Sequence, residues 1–227
     1  TTPGETWDYT ATQHIIVADL KWGDKTRRVV MQAPKNGFFY VLDAQSGELL
    51  AADKYQDNVN WAESVDLKTG RPVEAANARY LDSPFQAIPG PLGSHNWHPM
   101  SFSPQTGLVY IPAHTLPGLY ADEAEHTYRP GFWNTGTEFA GEGPAPRLDE
   151  RKAARAALKG QLVAWDPVAK KPKWVHDYPN AWNGGVLSTA GGLVFQGGLD
   201  GKFRAFDAAT GEVKWEERGL GCGSLIV

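Results

Sequence analysis

The sequence has a single cysteine, Cys222, among 227 residues. That excludes an internal disulfide and any multi-thiolate metal site, and no CxxCH haem-attachment motif is present. No apolar run approaches the roughly 20 residues needed to cross a bilayer as a helix. No secretory leader is legible either. The longest uncharged apolar stretch near the start, HIIVA (14–18), is strand-sized. An excess of basic charge is also missing: the formal net charge is −4, which gives no reason to expect nucleic acid as a partner. No GxGxxG leads from a strand into a helix, which argues against a nicotinamide dinucleotide enzyme. The first residue is Thr1, and the last seven, GCGSLIV, break off inside a strand-like pattern. Both ends therefore read as cut, as expected of a piece of a longer protein.

Glycine and tryptophan are present in excess, with 25 Gly and nine Trp. Together they suggest many short strands joined by tight turns, with indoles filling the gaps. Strand-like runs bounded by Gly, Asp, Asn and Pro recur. They are RRVVMQA (27–33), NGFFYVLD (36–43), GELLAAD (47–53), GQLVAWD (160–166), KPKWVHDY (171–178), GGLVFQGG (191–198), GKFRAFD (201–207) and GEVKWEE (211–217). TGLVYIPA (106–113) stands alone. The DAQSG and DAATG junctions carry hairpin chemistry, because Gly supplies positive φ and Asp bonds the turn backbone.

The turns repeat in a frame. AFDAATGEVKW (205–215) holds Ala, Asp, Thr-Gly and Trp at fixed offsets. AWDPVAKKPKW (164–174) keeps Ala164, Asp166 and Trp174 but loses Thr-Gly. VLDAQSGELLA (41–51) keeps Asp43 and Gly47, with Ala51 in the Trp position. Trp174 and Trp215 lie 41 residues apart, the length of a four-stranded propeller blade. In this frame Ala admits a neighbouring ring and Asp with Thr-Gly fixes the turn. Trp docks on the next blade with an N–H that needs a partner. The expected fold is an all-β propeller with long loops. Residues 54–100 and 114–159 break the rhythm, and RLDERKAARAALKG (147–160) has the charge spacing of one short, solvated helix.

A few residues stand out as chemistry. Asp8 lies between Trp7 and Tyr9 in ETWDYTATQH, a carboxylate that is ionised at neutral pH and able to accept a proton. On the residues alone the plainer reading is a turn or strand-end cap. Lys35 in APKNG is a turn lysine or a cationic contact. His95 and His98 in SHNWHP form an H-x-x-H pair, weak evidence for zinc without a further ligand nearby.

Taken as a set, WDYTATQH, APKNGFFYVLD, GSHNWHPMSFSPQTGLVYIP and WNGGVLSTAGGLVFQGGLDGKFRAFDAATGEVKW resemble the pyrroloquinoline quinone (PQQ) dependent alcohol dehydrogenases. The TATQH and HNW wording is closer to the quinohemoprotein branch than to the methanol dehydrogenase branch. The resemblance runs nearly end to end and is loose only over 114–159 and the last residues. It implies an eight-bladed propeller, of which residues 1–227 cover about the C-terminal half as roughly four blades, truncated at both ends and with an irregular insertion at 114–159. It also implies a periplasmic enzyme that oxidises primary alcohols such as ethanol to aldehydes, with PQQ over a Ca²⁺ and a cytochrome c, as a domain or separate protein, taking the electrons. Asp8 matches the proton-abstracting base and is a candidate Ca²⁺ contact. Lys35 matches the cation at the quinone oxygens. Asn96 and Trp97 match cofactor contacts, as do Trp182 and Asn183 of AWNGG. The family's Glu and Asn calcium ligands and its vicinal disulfide ring are expected upstream of Thr1. A haem c domain, where the parent carries one, is expected downstream of Val227, and no haem site is expected in this chain. The alternative is a non-enzymatic propeller scaffold binding protein partners, which would need none of Asp8, Lys35, Asn96 and Trp97.

Overall fold

A computed structural model describes residues 1–123, 125–132, 134–139, 149, 152 and 158–218. Strands β1 (Ile16–Trp22), β2 (Lys25–Gln32), β3 (Phe38–Asp43) and β4 (Leu49–Lys54) pair in chain order as an antiparallel sheet. A second sheet joins β8 (Ser101–Ser103), β9 (Leu108–Thr115), β12 (Lys159–Asp166) and β13 (Lys171–Tyr178). A third runs through β14 (Val186–Ser188), β15 (Leu193–Gly197), β16 (Lys202–Asp207) and β17 (Val213–Arg218). The described residues build these three four-stranded sheets beside one three-stranded and one two-stranded sheet.

Two departures concern the stretches read as irregular. Residues 54–100 contain the hairpin β5 (Ala62–Val65) and β6 (Pro72–Glu74), and then β7 (Phe85–Ala87). The excursion between β9 and β12 contains β10 (Gly118–Asp122) and β11 (Thr137–Phe139), and β10 returns to pair with β7. These are mostly three-residue ladders, too short to show a period. The helix expected over 147–160 lies almost wholly outside the described residues, and its last two positions open β12. TGLVYIPA does not stand alone. It forms β9, paired on one side with β8 and on the other with β12.

β9 and β12 are buried on both faces, so they read as continuous apolar runs rather than alternating ones. Val109, Ile111, Val163 and Trp165 face the first sheet, packing with Val29, Met31, Phe39 and Val41. Leu108, Tyr110, Leu162 and Ala164 face the third sheet, packing with Val194 and Phe206. The core therefore lies between sheets stacked blade against blade.

The repeated frame has a common geometry. The register shifts at Val41/Leu42, Ala164/Trp165 and Ala205/Phe206, each immediately before the turn aspartate. This bulge sharpens the twist just ahead of each hairpin. Asp43 Oδ1 then accepts from the backbone N–H groups of Gln45 and Ser46, both at 2.9 Å. Asp207 does the same for Ala209 and Thr210, at 3.0 and 2.9 Å. These bonds favour the ionised form and hold the Asp43 and Asp207 carboxyls below the usual aspartate range. Trp174 reaches across to the third sheet, where Nε1 donates to Ala208 O at 3.0 Å. Its ring lies over Gly211, where an added Cβ would stand 2.6 Å from the indole.

Candidate functional site

Asp8 occupies a left-handed backbone conformation, φ 63°. Asp is among the few residues besides Gly that adopt it readily. Its neighbours hold it there from both sides. Glu5 Oε2 accepts from Trp7 N at 2.7 Å and from Tyr9 N at 3.0 Å. Tyr120 donates to Trp7 O at 2.8 Å, and the Tyr9 hydroxyl donates to Pro89 O.

The Trp7 and Tyr9 rings do not wall Asp8. Both point into the core, where they pack on each other and on Trp61 at centroid distances of 5.5, 4.9 and 5.2 Å. Trp7 Nε1 donates to Ala78 O at 2.7 Å, so the buried indole is satisfied. Burial raises the Tyr9 phenol well above its ordinary value, with the charges at Tyr120 and Glu5 adding to it. The Asp8 carboxylate turns outward instead, with 61% of its side chain exposed.

Lys35 meets Asp8 from below. Its Nζ donates to Asp8 O at 3.0 Å and to Asp8 Oδ2 at 3.1 Å, while its side chain is only 9% exposed. The stem passes under Gly93, where a Cβ would lie 2.6 Å from Lys35 Cβ and where φ is +79°. Glycine at position 93 is therefore what lets the 93–98 loop lie on the lysine. That loop is tied down by Ser94 N donating to Lys35 O at 2.9 Å and His114 N donating to Ser94 O at 2.8 Å.

The remaining expected residues lie on the 93–98 loop and at the start of the 180–199 turn. Asn96 is buried and closes its own loop, with Nδ2 donating to Leu92 O and Oδ1 accepting from Trp97 N, both at 2.8 Å. Trp97 is 48% exposed and stacks on the buried His98 ring at 4.2 Å. Trp182, also left-handed at φ 66°, sets its ring edge-on to His98 at 4.8 Å and lies 5.0 Å from His114. Asn183 is buried and holds the 180–199 turn, bonding Asn180 O and Leu199 N at 2.9 and 3.0 Å. The fold thus joins Asp8 directly to Lys35, and joins Trp97 to Trp182 through His98. Asn96 and Asn183 spend their amides on loop closure, leaving Asn96 Nδ2 a second N–H.

The histidine pair does not form a metal site. Both His95 ring nitrogens face backbone carbonyls, and among the described residues no group of three or more His, Cys, Asp and Glu converges. Burial lowers His98 to about 4. Burial, then the nearby His95 and His98, lower His114 to about 3. Both are neutral at neutral pH. A groove of about 890 Å³ lies elsewhere, between the first sheet and the β5–β6 hairpin, and is lined by none of the six expected residues.

Sequence reasoning missed Glu5, Tyr120, Gly93 and His114. Glu5 was visible beside Asp8 but signals nothing until its carboxylate is seen to bridge two amides. Tyr120 and His114 lie far along the chain and carry no local motif.

Comparison with known proteins finds relatives along nearly the whole chain. A family model described as outer membrane protein assembly factor BamB matches residues 125–225. The quinohemoprotein alcohol dehydrogenase ADH IIB of Pseudomonas putida is 50% identical over 95% of this chain and 30% of its own length. The 1-butanol dehydrogenase (cytochrome c) of Thauera butanivorans is 40% identical over 94% of this chain and 30% of its own length. The solved structure of the quinohemoprotein alcohol dehydrogenase ADHIIG of Pseudomonas putida superposes with a TM-score of 0.87 at 43% identity, covering 95% of this chain and 32% of that one. The chain therefore spans about a third of the length of these relatives.

Proposed function

Because the chain belongs to the quinohemoprotein alcohol dehydrogenase family, as a segment matching 30% of a relative's length, we propose that its parent protein oxidises small primary alcohols such as ethanol to aldehydes. Asp8 is its proton-abstracting base. The observation that carries this reading is the Asp8–Lys35 pair. An exposed carboxylate sits in a left-handed conformation over a buried ammonium 3.1 Å away.

The residues present fit a quinone and a hard cation. Lys35 offers a fixed positive charge, Asn96 a free N–H, and Trp97 and Trp182 ring surface. Asn183 holds the adjoining turn. The Asp8 carboxylate is a hard oxygen ligand of the type Ca²⁺ prefers. When bound, PQQ supplies the hydride acceptor and Ca²⁺ the Lewis acid beside it. The chain's own part is proton transfer and orientation. Lys35 holds Asp8 Oδ2, which leaves the other carboxylate oxygen to accept the hydroxyl proton of the alcohol. The lysine charge also favours negative charge developing on that face. Electrons leave to a cytochrome c, a haem c domain of the parent or a separate protein, and we assign the enzyme to the periplasm.

The full-length protein, supplied with PQQ, Ca²⁺ and an artificial electron acceptor, is expected to oxidise ethanol, and to stop when PQQ is withheld. Absence of turnover on every primary alcohol from ethanol to hexanol would end this reading.

A further inference from the structure

His95 is fully buried, with Nδ1 2.6 Å from Ala33 O and Nε2 2.7 Å from His98 O. Both partners are backbone carbonyls, which only accept hydrogen bonds. A neutral imidazole carries one N–H, so either tautomer directs a bare lone pair at a carbonyl oxygen. Only the imidazolium donates to both. We infer that His95 is a buried imidazolium that clamps the loop carrying Asn96 and Trp97 onto the β2–β3 connection carrying Ala33 and Lys35.

Burial opposes this, and drives the ring down to about 4, while the Ala33 and His98 carbonyls push it up and charge on His98 and His14 pushes it down. The charged or titratable groups around it are His14, His98, His114 and Lys35. His98 and His114 are held neutral by their own burial, so they repel little at neutral pH. Lys35 is already paired with Asp8. Against desolvation stand two charge-assisted bonds at the short end of their range. The neutral alternative also has a cost, since it leaves acceptor against acceptor in a dry interior where unpaired polar groups weigh most. The contacts outweigh the burial.

His95 is therefore a positioning residue. Ala33 lies two residues before Lys35, and the His98 carbonyl closes the loop that presents Trp97. The charge state stands whatever reaction the protein runs; only its purpose rests on the proposed function.

The test is the protonation state in the full-length protein labelled with ¹⁵N-histidine. At neutral pH, NMR is expected to show both His95 ring nitrogens protonated, assigned through hydrogen-bond couplings to Ala33 and His98. One protonated and one bare nitrogen would overturn the inference, with no variant needed. A second readout is the pH dependence of stability in His95→Gln against the native protein. A folded pKa raised above the unfolded value of about 6.5 gives stability that is complete below that pH and lost above the folded pKa. The native advantage should then fall by up to tenfold in the folding constant per pH unit in that alkaline range. An advantage that instead disappears as pH falls below about 6.5 would mark a neutral His95 and sink the inference. Neither readout involves alcohol oxidation, so failure of the activity test leaves it untouched.

Discussion

The Lys35 ammonium donates to two atoms of one residue, the Asp8 carbonyl at 3.0 Å and the Asp8 carboxylate at 3.1 Å. The backbone bond fixes the lysine whether or not residue 8 carries charge. The side-chain bond orients the carboxylate without enclosing it. Placement and chemistry at this point are therefore separable by mutation.

Asp8→Asn is the substitution that separates them. Asn tolerates the left-handed backbone nearly as well as Asp, and the Lys35 contact to Asp8 O survives. The carboxylate is mostly exposed, but it is the charge partner of the buried Lys35 ammonium, so stability should fall by about 1–3 kcal/mol. PQQ binding, followed by absorbance titration, should persist. Turnover of the full-length protein should fall by roughly 10²–10⁴, the usual worth of a general base. A near-native rate would remove Asp8 from that role.

The turn glycines offer a matched pair. Gly47 and Gly211 close equivalent turns at φ +75° and +76°. An added Cβ meets nothing within 4 Å at Gly47 but stands 2.6 Å from the Trp174 ring at Gly211. Both alanine variants carry the left-handed cost of roughly 1–2 kcal/mol. Gly211→Ala should lose about 1–3 kcal/mol more, the usual range for overpacking, measured as the difference in urea-unfolding free energy. Equal losses would mean that Trp174 does not need its seat on the neighbouring turn.

Much of this was legible in the sequence, and the boundary is physical. β2, β3, β4, β9, β12, β13, β15, β16 and β17 announce themselves as β-branched or aromatic runs between turn residues. The Asp-to-Gly frame located three hairpins of one kind. It was blind to Asp66–Gly70, where the same turn closes without a tryptophan. It also did not foresee Lys170 adopting φ 57° where the other copies place glycine. At the site, local wording pointed to Asp8 and Lys35. It did not say which way the Trp7 and Tyr9 rings point, because that is set by the left-handed backbone at the residue between them. The His95 clamp was illegible, since its partner Ala33 lies 62 residues away and offers only a carbonyl.

His114 gives the acid side of the stability profile. Its ring is buried beside Trp182, its Nε2 has no hydrogen-bond partner among the described residues, and burial lowers it to about 3. Below about pH 6.5 the unfolded chain takes up a proton that the folded chain refuses. A depressed folded pKa therefore contributes stability that is present above that pH and lost as pH falls toward 3. One such proton is worth about 1.4 kcal/mol per pH unit. His114→Phe keeps an aromatic ring against Trp182 and removes the titration. Urea-unfolding free energies measured from neutral pH down to about pH 4 should fall less steeply for this variant than for the native protein, by up to one proton's worth of slope. His98, lowered to about 4 by the same cause, keeps part of the slope in the variant. Parallel profiles would mean that His114 is already protonated, or reaches water, in the folded state.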